Sequence, residues 1–288
     1  MKYEGDVYRP PSEAKSLIIQ LTIGCARNTC TFCAMYKREK FRIRELSEVI
    51  ADLYWVKERY PFSFDRVFLA DGDALIVKTD VLLAVLDKIY ELFPHIRRVS
   101  TYGTAGDVLM KSHEELCMLR QHGLEMVYIG AESGSDKVLA AVDKRLTSAQ
   151  MVEACHKLKA AGIKTSMTLI TGLGGRADSV EHAIESARLV SASKPEYLGL
   201  LTLNLAPDAP LTRDYLSGKF ETLGPIEFLR EQKLFLENVD SEGTVLRSNH
   251  VSNYVSLAGT LNADREKMIE QLERAISGGG RPRRFGLF

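Results

Sequence analysis

The sequence has no excess of either charge: 38 basic and 38 acidic side chains leave a formal net charge of zero over 288 residues. That balance argues against nucleic acid as the default partner, since broad phosphate binding draws on clustered Lys and Arg. No apolar run approaches the ~20 residues that span a bilayer, so no membrane segment is expected. The opening MKYEGDVYRPPSEAK lacks an apolar h-region, which leads to the expectation of a cytoplasmic protein. Cysteine is scarce, five in all and odd in number, which disfavours a disulfide framework and suits a reducing compartment. Internal repeats are absent, and the longest low-complexity stretch is the closing GGGRPRRFGLF.

What is present is a globular composition, 45% hydrophobic and 26% charged, with two alternating textures. Short apolar runs at Leu17–Ile23, Arg66–Ala70, Arg98–Tyr102, Met126–Ala131, Lys164–Ile170 and Tyr197–Leu203 suit strands buried on both faces, as in a parallel sheet. Longer amphipathic stretches separate them. Leu82, Leu86, Ile89 and Phe93 share one helical face, and so do Val180, Ile184 and Ala187. Thr147 and Gln150 read as a capping box opening a helix that ends near Gly162. Alternating strand and helix predict an α/β protein with right-handed crossovers, whether an open sheet, a partial barrel or a closed one. After about residue 205 the rhythm loosens, with helices expected in PIEFLREQKLFLEN and DREKMIEQLERAI and a strand at Thr244–Ser248. The expected organisation is a body over 1–215 and a C-terminal extension over 216–288 that packs on it and contributes to the substrate site.

Three of the five cysteines, Cys25, Cys30 and Cys33, fall within nine residues directly after the first predicted strand. Sites in parallel α/β proteins are built where strands end. Three thiolates suit three irons of a 4Fe–4S cluster, which has four irons to ligate. A missing fourth ligand leaves one iron open for a substrate or cofactor to chelate. A structural zinc site would call for four ligands. A Cys30–Cys33 redox dithiol leaves Cys25 unexplained. Cys117 and Cys155 lie in predicted helices beside Leu116 and Val152, where core packing is the expected role.

The arrangement resembles the radical S-adenosylmethionine (radical SAM) superfamily, in the branch shared by the Elongator catalytic subunit, the methylthiotransferases and the oxygen-independent coproporphyrinogen oxidases. The resemblance covers about residues 8–215 and implies a partial (β/α)6 TIM-like barrel. One departure is visible: the usual C-x3-C-x2-C spacing is C-x4-C-x2-C here, the extra residue lying between Cys25 and Cys30. The resemblance implies that Cys25, Cys30 and Cys33 hold the cluster and that Phe32 stands beside the adenine. Asp71, Gly72 and Asp73 occupy the place of the element that receives the amino group of S-adenosylmethionine. Glu132 and Ser133, in a GxESGS-like segment, face the ribose; Lys144 takes the methionine carboxylate; and Gly172, in a glycine-rich turn, lies near the adenine. Bland roles accompany each: a polar turn at 71–73, a helix cap at Ser133 or Ser135, a solvated charge at Lys144, and an apolar plug at Phe32.

The resemblance further implies one-electron delivery by a flavodoxin or ferredoxin and hydrogen abstraction from a substrate C–H bond. The outcome is that of an oxidoreductase, lyase or isomerase. Zero net charge points the substrate expectation to a small molecule. Asn249, His250, Asn253 and Tyr254 belong to a dense run of uncharged polar groups that suits a polar substrate, or a loop satisfying its own backbone. The opposing reading is a non-catalytic α/β protein whose cysteines hold structural zinc or iron.

Overall fold

Five of the six short apolar runs each form one strand, and the first, Leu17–Ile23, is divided between two. In the computed structural model, which describes residues 1–278, the elements run β1 (Leu17–Gln20), β2 (Thr22–Ile23), β3 (Arg42–Ile43), α1 (Leu46–Arg59), β4 (Arg66–Ala70), α2 (Thr79–Leu92), β5 (Arg98–Gly103), α3 (Ala105–Met110), α4 (His113–Gln121) and β6 (Leu124–Glu132). They continue with α5 (Asp136–Ala141), α6 (Ser148–Ala160), β7 (Lys164–Thr171), α7 (Gly175–Ser193), β8 (Tyr197–Thr202), α8 (Pro210–Leu216), α9 (Pro225–Asn238), β9 (Val245–Arg247), β10 (Ala258–Thr260) and α10 (Arg265–Ile276). All but the first residue of the closing glycine-rich stretch lie outside the described residues. Among the described residues no helix is long and apolar enough to cross a membrane. The described residues divide into two compact units, one of residues 1–28, 35–129 and 156–165, the other of residues 29–34, 130–155 and 166–278.

The first unit is a parallel sheet in the order β1-β4-β5-β6, with Ile18 beside Phe68 and Phe68 beside Ser100. Val67, Phe68 and Leu69 are fully buried, each such large side chain contributing ~1.5–3 kcal/mol. Leu82, Leu86 and Ile89 of α2 are buried as the spacing predicts. The run Leu17–Ile23 is not one strand: it breaks at Leu21, and β2 pairs antiparallel with β3, Thr22 opposite Ile43. The break directs the chain out of the sheet just before the cysteine loop. Cys117 departs from the core expectation. It is half-buried on α4, with Sγ 3.5 Å from His113 Nε2 one turn away.

In the second unit β7, β8 and β9 run parallel and β10 closes antiparallel on β9. Here burial alternates. Met167 and Leu169 of β7 and Leu198 and Leu200 of β8 are buried, whereas the residues between them are half-exposed. These strands therefore have one covered face, not two. Thr147 and Gln150 form the expected capping box, the Thr147 N–H donating to Gln150 Oε1 at 2.9 Å. Cys155 is buried as expected. The α7 face is a correction. Val180 is exposed, and the buried stripe is His182, Ala183, Ser186, Ala187 and Val190. Of the expected face Ala187 is buried and Ile184 half-buried; two of the five stripe residues are polar, so counting apolar residues alone put Val180 on it.

Candidate functional site

The loop carrying Cys25 is held by a carboxylate. Asp71 Oδ2, just past β4, accepts from Gln20 Nε2 at 3.0 Å and from the Gly24 N–H at 3.3 Å, while the Asp71 N–H donates to Thr22 Oγ1 at 3.1 Å. Burial pushes the Asp71 carboxyl up to about 6 against those two donors. Its other oxygen, Oδ1, is buried without a hydrogen bond. Gly72 is a glycine for a packing reason: a Cβ there would lie 2.4 Å from the Tyr36 ring. Asp73 is fully buried. The lengthened stretch between Cys25 and Cys30 has its own anchors. Arg27 Nε donates to Thr104 Oγ1 at 3.2 Å. Asn28 takes a left-handed φ of 28° and donates its amide to Tyr36 O at 2.6 Å, a conformation Asn tolerates better than most residues.

In the second unit, Cys30 and Cys33 are joined by a turn in which the Cys33 N–H donates to Cys30 O at 3.3 Å. The turn is fastened to the end of α5, with Thr31 N–H on Val142 O at 3.0 Å and Thr29 Oγ1 on Asp143 O at 2.8 Å. Phe32 packs on Val138, Val142 and Leu173, the plug role. Arg145 forks onto the Asp143 carboxylate at 2.8 and 3.1 Å. Cys25, Cys30 and Cys33 form no disulfide and are half-buried. Among the described residues no group of three or more His, Cys, Asp or Glu side chains is set to hold a metal ion. By chemistry alone, three cysteine thiols are the donor type that an iron–sulfur cluster takes, one thiolate per iron.

Glu132 ends β6 with a left-handed φ of 67°, a conformation costly for a non-glycine residue and concentrated at functional sites. It directs the carboxylate onto Lys144, whose Nζ donates to Glu132 Oε1 at 2.9 Å. Gly130 makes room: a Cβ there would lie 2.1 Å from Glu132 Oε1 and 3.4 Å from Lys144 Nζ. The structure thus brings Glu132 and Lys144 together. Ser133 is different. Its hydroxyl is fully buried and turned onto His182 Nδ1 at 2.7 Å.

Gly172 leaves β7 at a φ of 85°, a backbone that glycine adopts readily, with its missing Cβ taken up by the Phe228 ring. The Gly172 N–H donates to Glu231 Oε1 at 2.5 Å. Burial pushes Glu231 up to about 7 and His182 down to about 4. Sequence reasoning missed both residues; the available signal was a His, two Ser and a Glu set among apolar positions of the two helices. In the 249–254 loop, Asn253 is committed to the fold: it donates to Leu200 O at 2.7 Å and Ser248 Oγ at 2.8 Å and accepts from Thr202 Oγ1 at 2.8 Å. His250 is half-buried with Nδ1 at 2.8 Å from Ser252 Oγ, Asn249 is exposed, and Tyr254 tilts against Phe228 at 5.7 Å.

An α/β chain with a three-cysteine loop after its first strand and a buried acid–base pair at the end of a later one defines a class of cofactor-dependent enzymes. The family model for the Radical SAM superfamily matches residues 19–188, more than half of the chain. The chain belongs to that superfamily, whose enzymes use a 4Fe–4S cluster and S-adenosylmethionine. It is 26% identical over 218 residues to the dual-specificity RNA methyltransferase RlmN of Nitratidesulfovibrio vulgaris, covering 69% of this chain and 57% of the relative. It is 23% identical over 203 residues to the threonylcarbamoyladenosine tRNA methylthiotransferase MtaB of Rickettsia prowazekii, covering 68% and 47%. The chain spans about half the length of these curated relatives. Its fold is similar to that of the Escherichia coli coproporphyrinogen III oxidase HemN, a radical SAM enzyme, with a TM-score of 0.58 at 16% identity, covering 77% of this chain and 52% of that one.

Proposed function

We propose that this chain reductively cleaves S-adenosylmethionine at a 4Fe–4S cluster held by Cys25, Cys30 and Cys33 and takes hydrogen from a small-molecule substrate. The observation that supports it most is the set of three cysteines, none of them in a disulfide, within nine residues of a chain of this superfamily. Bound there, the cluster supplies the electron that splits the sulfonium into methionine and a 5′-deoxyadenosyl radical. A flavodoxin or ferredoxin is the electron donor.

The chain's own residues bind and orient. Lys144 exchanges its bond to Glu132 for the methionine carboxylate, which frees Glu132 to accept from the ribose hydroxyls. Asp73 and the backbone of 71–73 receive the ammonium group. Phe32 and the Gly172 turn flank the adenine. Ser133 acts from behind Glu132, through the protein. Asn249, His250 and Tyr254 are the substrate-facing members of their loop, and Asn253 is its anchor, within the extension over 216–288.

Both sequence relatives are named for RNA substrates, and that observation favours a second substrate class, a base in RNA. Zero net charge supports the small molecule. Anaerobic reconstitution with iron and sulfide tests the first step. A brown protein that releases 5′-deoxyadenosine when reduced with S-adenosylmethionine is the expected result. A colourless protein holding one tight zinc would sink the reading in favour of a structural metal site. A salt-sensitive gel shift with transfer RNA or ribosomal RNA would move the substrate to RNA.

A further inference from the structure

His182 lies in α7, outside every motif that the cofactor reading uses, yet it is almost wholly buried between two of them. The hydrogen-bond partners fix its state. Its Nε2 lies 3.0 Å from Ile170 O, and a carbonyl only accepts, so Nε2 carries the proton. Nδ1 is then an acceptor, and the hydroxyl 2.7 Å away on Ser133 donates to it. The Ser133 oxygen in turn accepts the Ser135 N–H at 3.0 Å. One directed chain therefore runs from the Ser135 backbone through Ser133 and His182 to the Ile170 carbonyl. Its ends lie next to Glu132 on one side and next to the Gly172 turn on the other.

Neighbouring groups reinforce both ends. Ser186, one turn along α7, accepts the Gly134 N–H at 2.9 Å. Glu231 of α9 accepts the Gly172 N–H at 2.5 Å and the Ser179 hydroxyl, and its Oε1 stands 3.6 Å from His182 Nε2. Every backbone N–H from 133 to 135 has an acceptor: Ser133 on Ala131 O, Gly134 on Ser186 Oγ and Ser135 on Ser133 Oγ. Ser133, Ser135, His182, Ser186 and Glu231 are all buried, and they hold the backbone that follows Glu132 with its left-handed φ. Burial also holds the His182 imidazole neutral, with its pKa lowered to about 4.

We propose that His182, as the neutral Nε2–H tautomer, is a positioning residue that fixes the loop after β6 against the turn after β7, setting the spacing of Glu132 and Gly172 for S-adenosylmethionine. The proposal rests on the reading of those two segments as the cofactor's seat. A histidine serves here because one planar ring donates from one nitrogen and accepts at the other, and an apolar residue of similar size does neither. Ser133 is the second link, which explains why its hydroxyl faces inward.

The test is equilibrium binding of S-adenosylmethionine to the reconstituted protein, with iron content measured alongside. His182→Leu and Ser133→Ala are each expected to weaken binding about tenfold, the worth of one or two buried hydrogen bonds, with iron content unchanged. The double variant is expected to lose no more than either single one, because both cut the same chain. His182→Asn keeps an acceptor near the Nδ1 position and is expected to recover part of the loss. Additive losses in the double variant, or unchanged binding in His182→Leu, would overturn the positioning role alone. A wild type that takes up iron but binds no S-adenosylmethionine would overturn the reading of the site as well. A check without substitution uses histidine-labelled protein: its imidazole nitrogen shifts at neutral pH must report a protonated Nε2 and a bare Nδ1. A doubly protonated ring or the opposite tautomer would overturn the assignment even if a variant failed to fold.

Discussion

Lys144 Nζ donates to Glu132 Oε1 across 2.9 Å, with both side chains about nine-tenths buried and Gly130 leaving the space in which they meet. A buried pair of this kind is weak evidence for stability, since desolvation offsets most of the attraction, but cutting one partner strands the other. Lys144→Met is therefore expected to lower unfolding free energy by about 3 kcal/mol, and Lys144→Met with Glu132→Gln to recover most of it. Urea titration of the three proteins checks this. A double variant no more stable than Lys144→Met would show that the pair is not the relevant interaction.

Gly130→Ala addresses the same pair from the backbone. The new methyl would lie 2.1 Å from Glu132 Oε1, so the carboxylate must swing away while the strand stays. The expectation is a fall of about tenfold or more in S-adenosylmethionine affinity, about what losing one charge-assisted bond costs, with a far smaller change in melting temperature. Parallel dialysis and thermal melts separate the two effects.

The cysteines divide by site. Cys30→Ala is expected to abolish cluster uptake and 5′-deoxyadenosine release, and Cys117→Ala to spare both. Iron and sulfide assays after reconstitution decide it. Equal loss in the two variants would refute the assignment of the cluster loop.

Asp71 is expected to matter for the shape of that loop. Asp71→Ala removes the acceptor of the Gly24 N–H and one of the two acceptors of the Gln20 amide, which keeps Glu4 O, a loss of about 2 kcal/mol for buried donors. Asp71→Asn keeps one acceptor oxygen and should lose less. The expected order of cluster retention on dilution is wild type, then Asn, then Ala, followed by the visible absorbance.

Glu231 and His182 pull stability in opposite directions with pH. Glu231 is raised to about 7 from 4.5, so the folded state holds the extra proton between those values, and its contribution falls as pH rises through that window. His182 is lowered to about 4 from 6.5, so there the unfolded state binds more protons, and its contribution falls as pH drops from 6.5 to 4. Across pH 4.5–6.5 the two slopes nearly cancel. Glu231→Gln is expected to expose the histidine slope, giving a difference curve that rises with pH over this range. His182→Asn should expose the opposite slope. Chemical denaturation at half-unit pH steps resolves both, and parallel curves for all three proteins would contradict the assignment.

The α/β alternation, the strands and the cysteine loop were legible in the sequence because they rest on local signals: continuous apolar runs, helical spacing and three thiols within nine residues. The capping box at Thr147 was legible for the same reason. The tertiary structure alone decided which polar groups face one another. Ser133 and His182 are 49 residues apart and Gly172 and Glu231 are 59 apart, and nothing local in either segment announces its partner. A hydrophobic pattern scores a buried histidine or serine as a surface residue, which is why it placed Val180 inside and passed over His182. Burying a polar group costs free energy unless a partner satisfies it, and the partners arrive only when strands and helices distant in sequence pack together. Residue types and spacing thus determined that a cysteine-ligated cofactor chemistry was to be expected, and the packing of α7 and α9 decided how the segments around Glu132 and Gly172 are held in place.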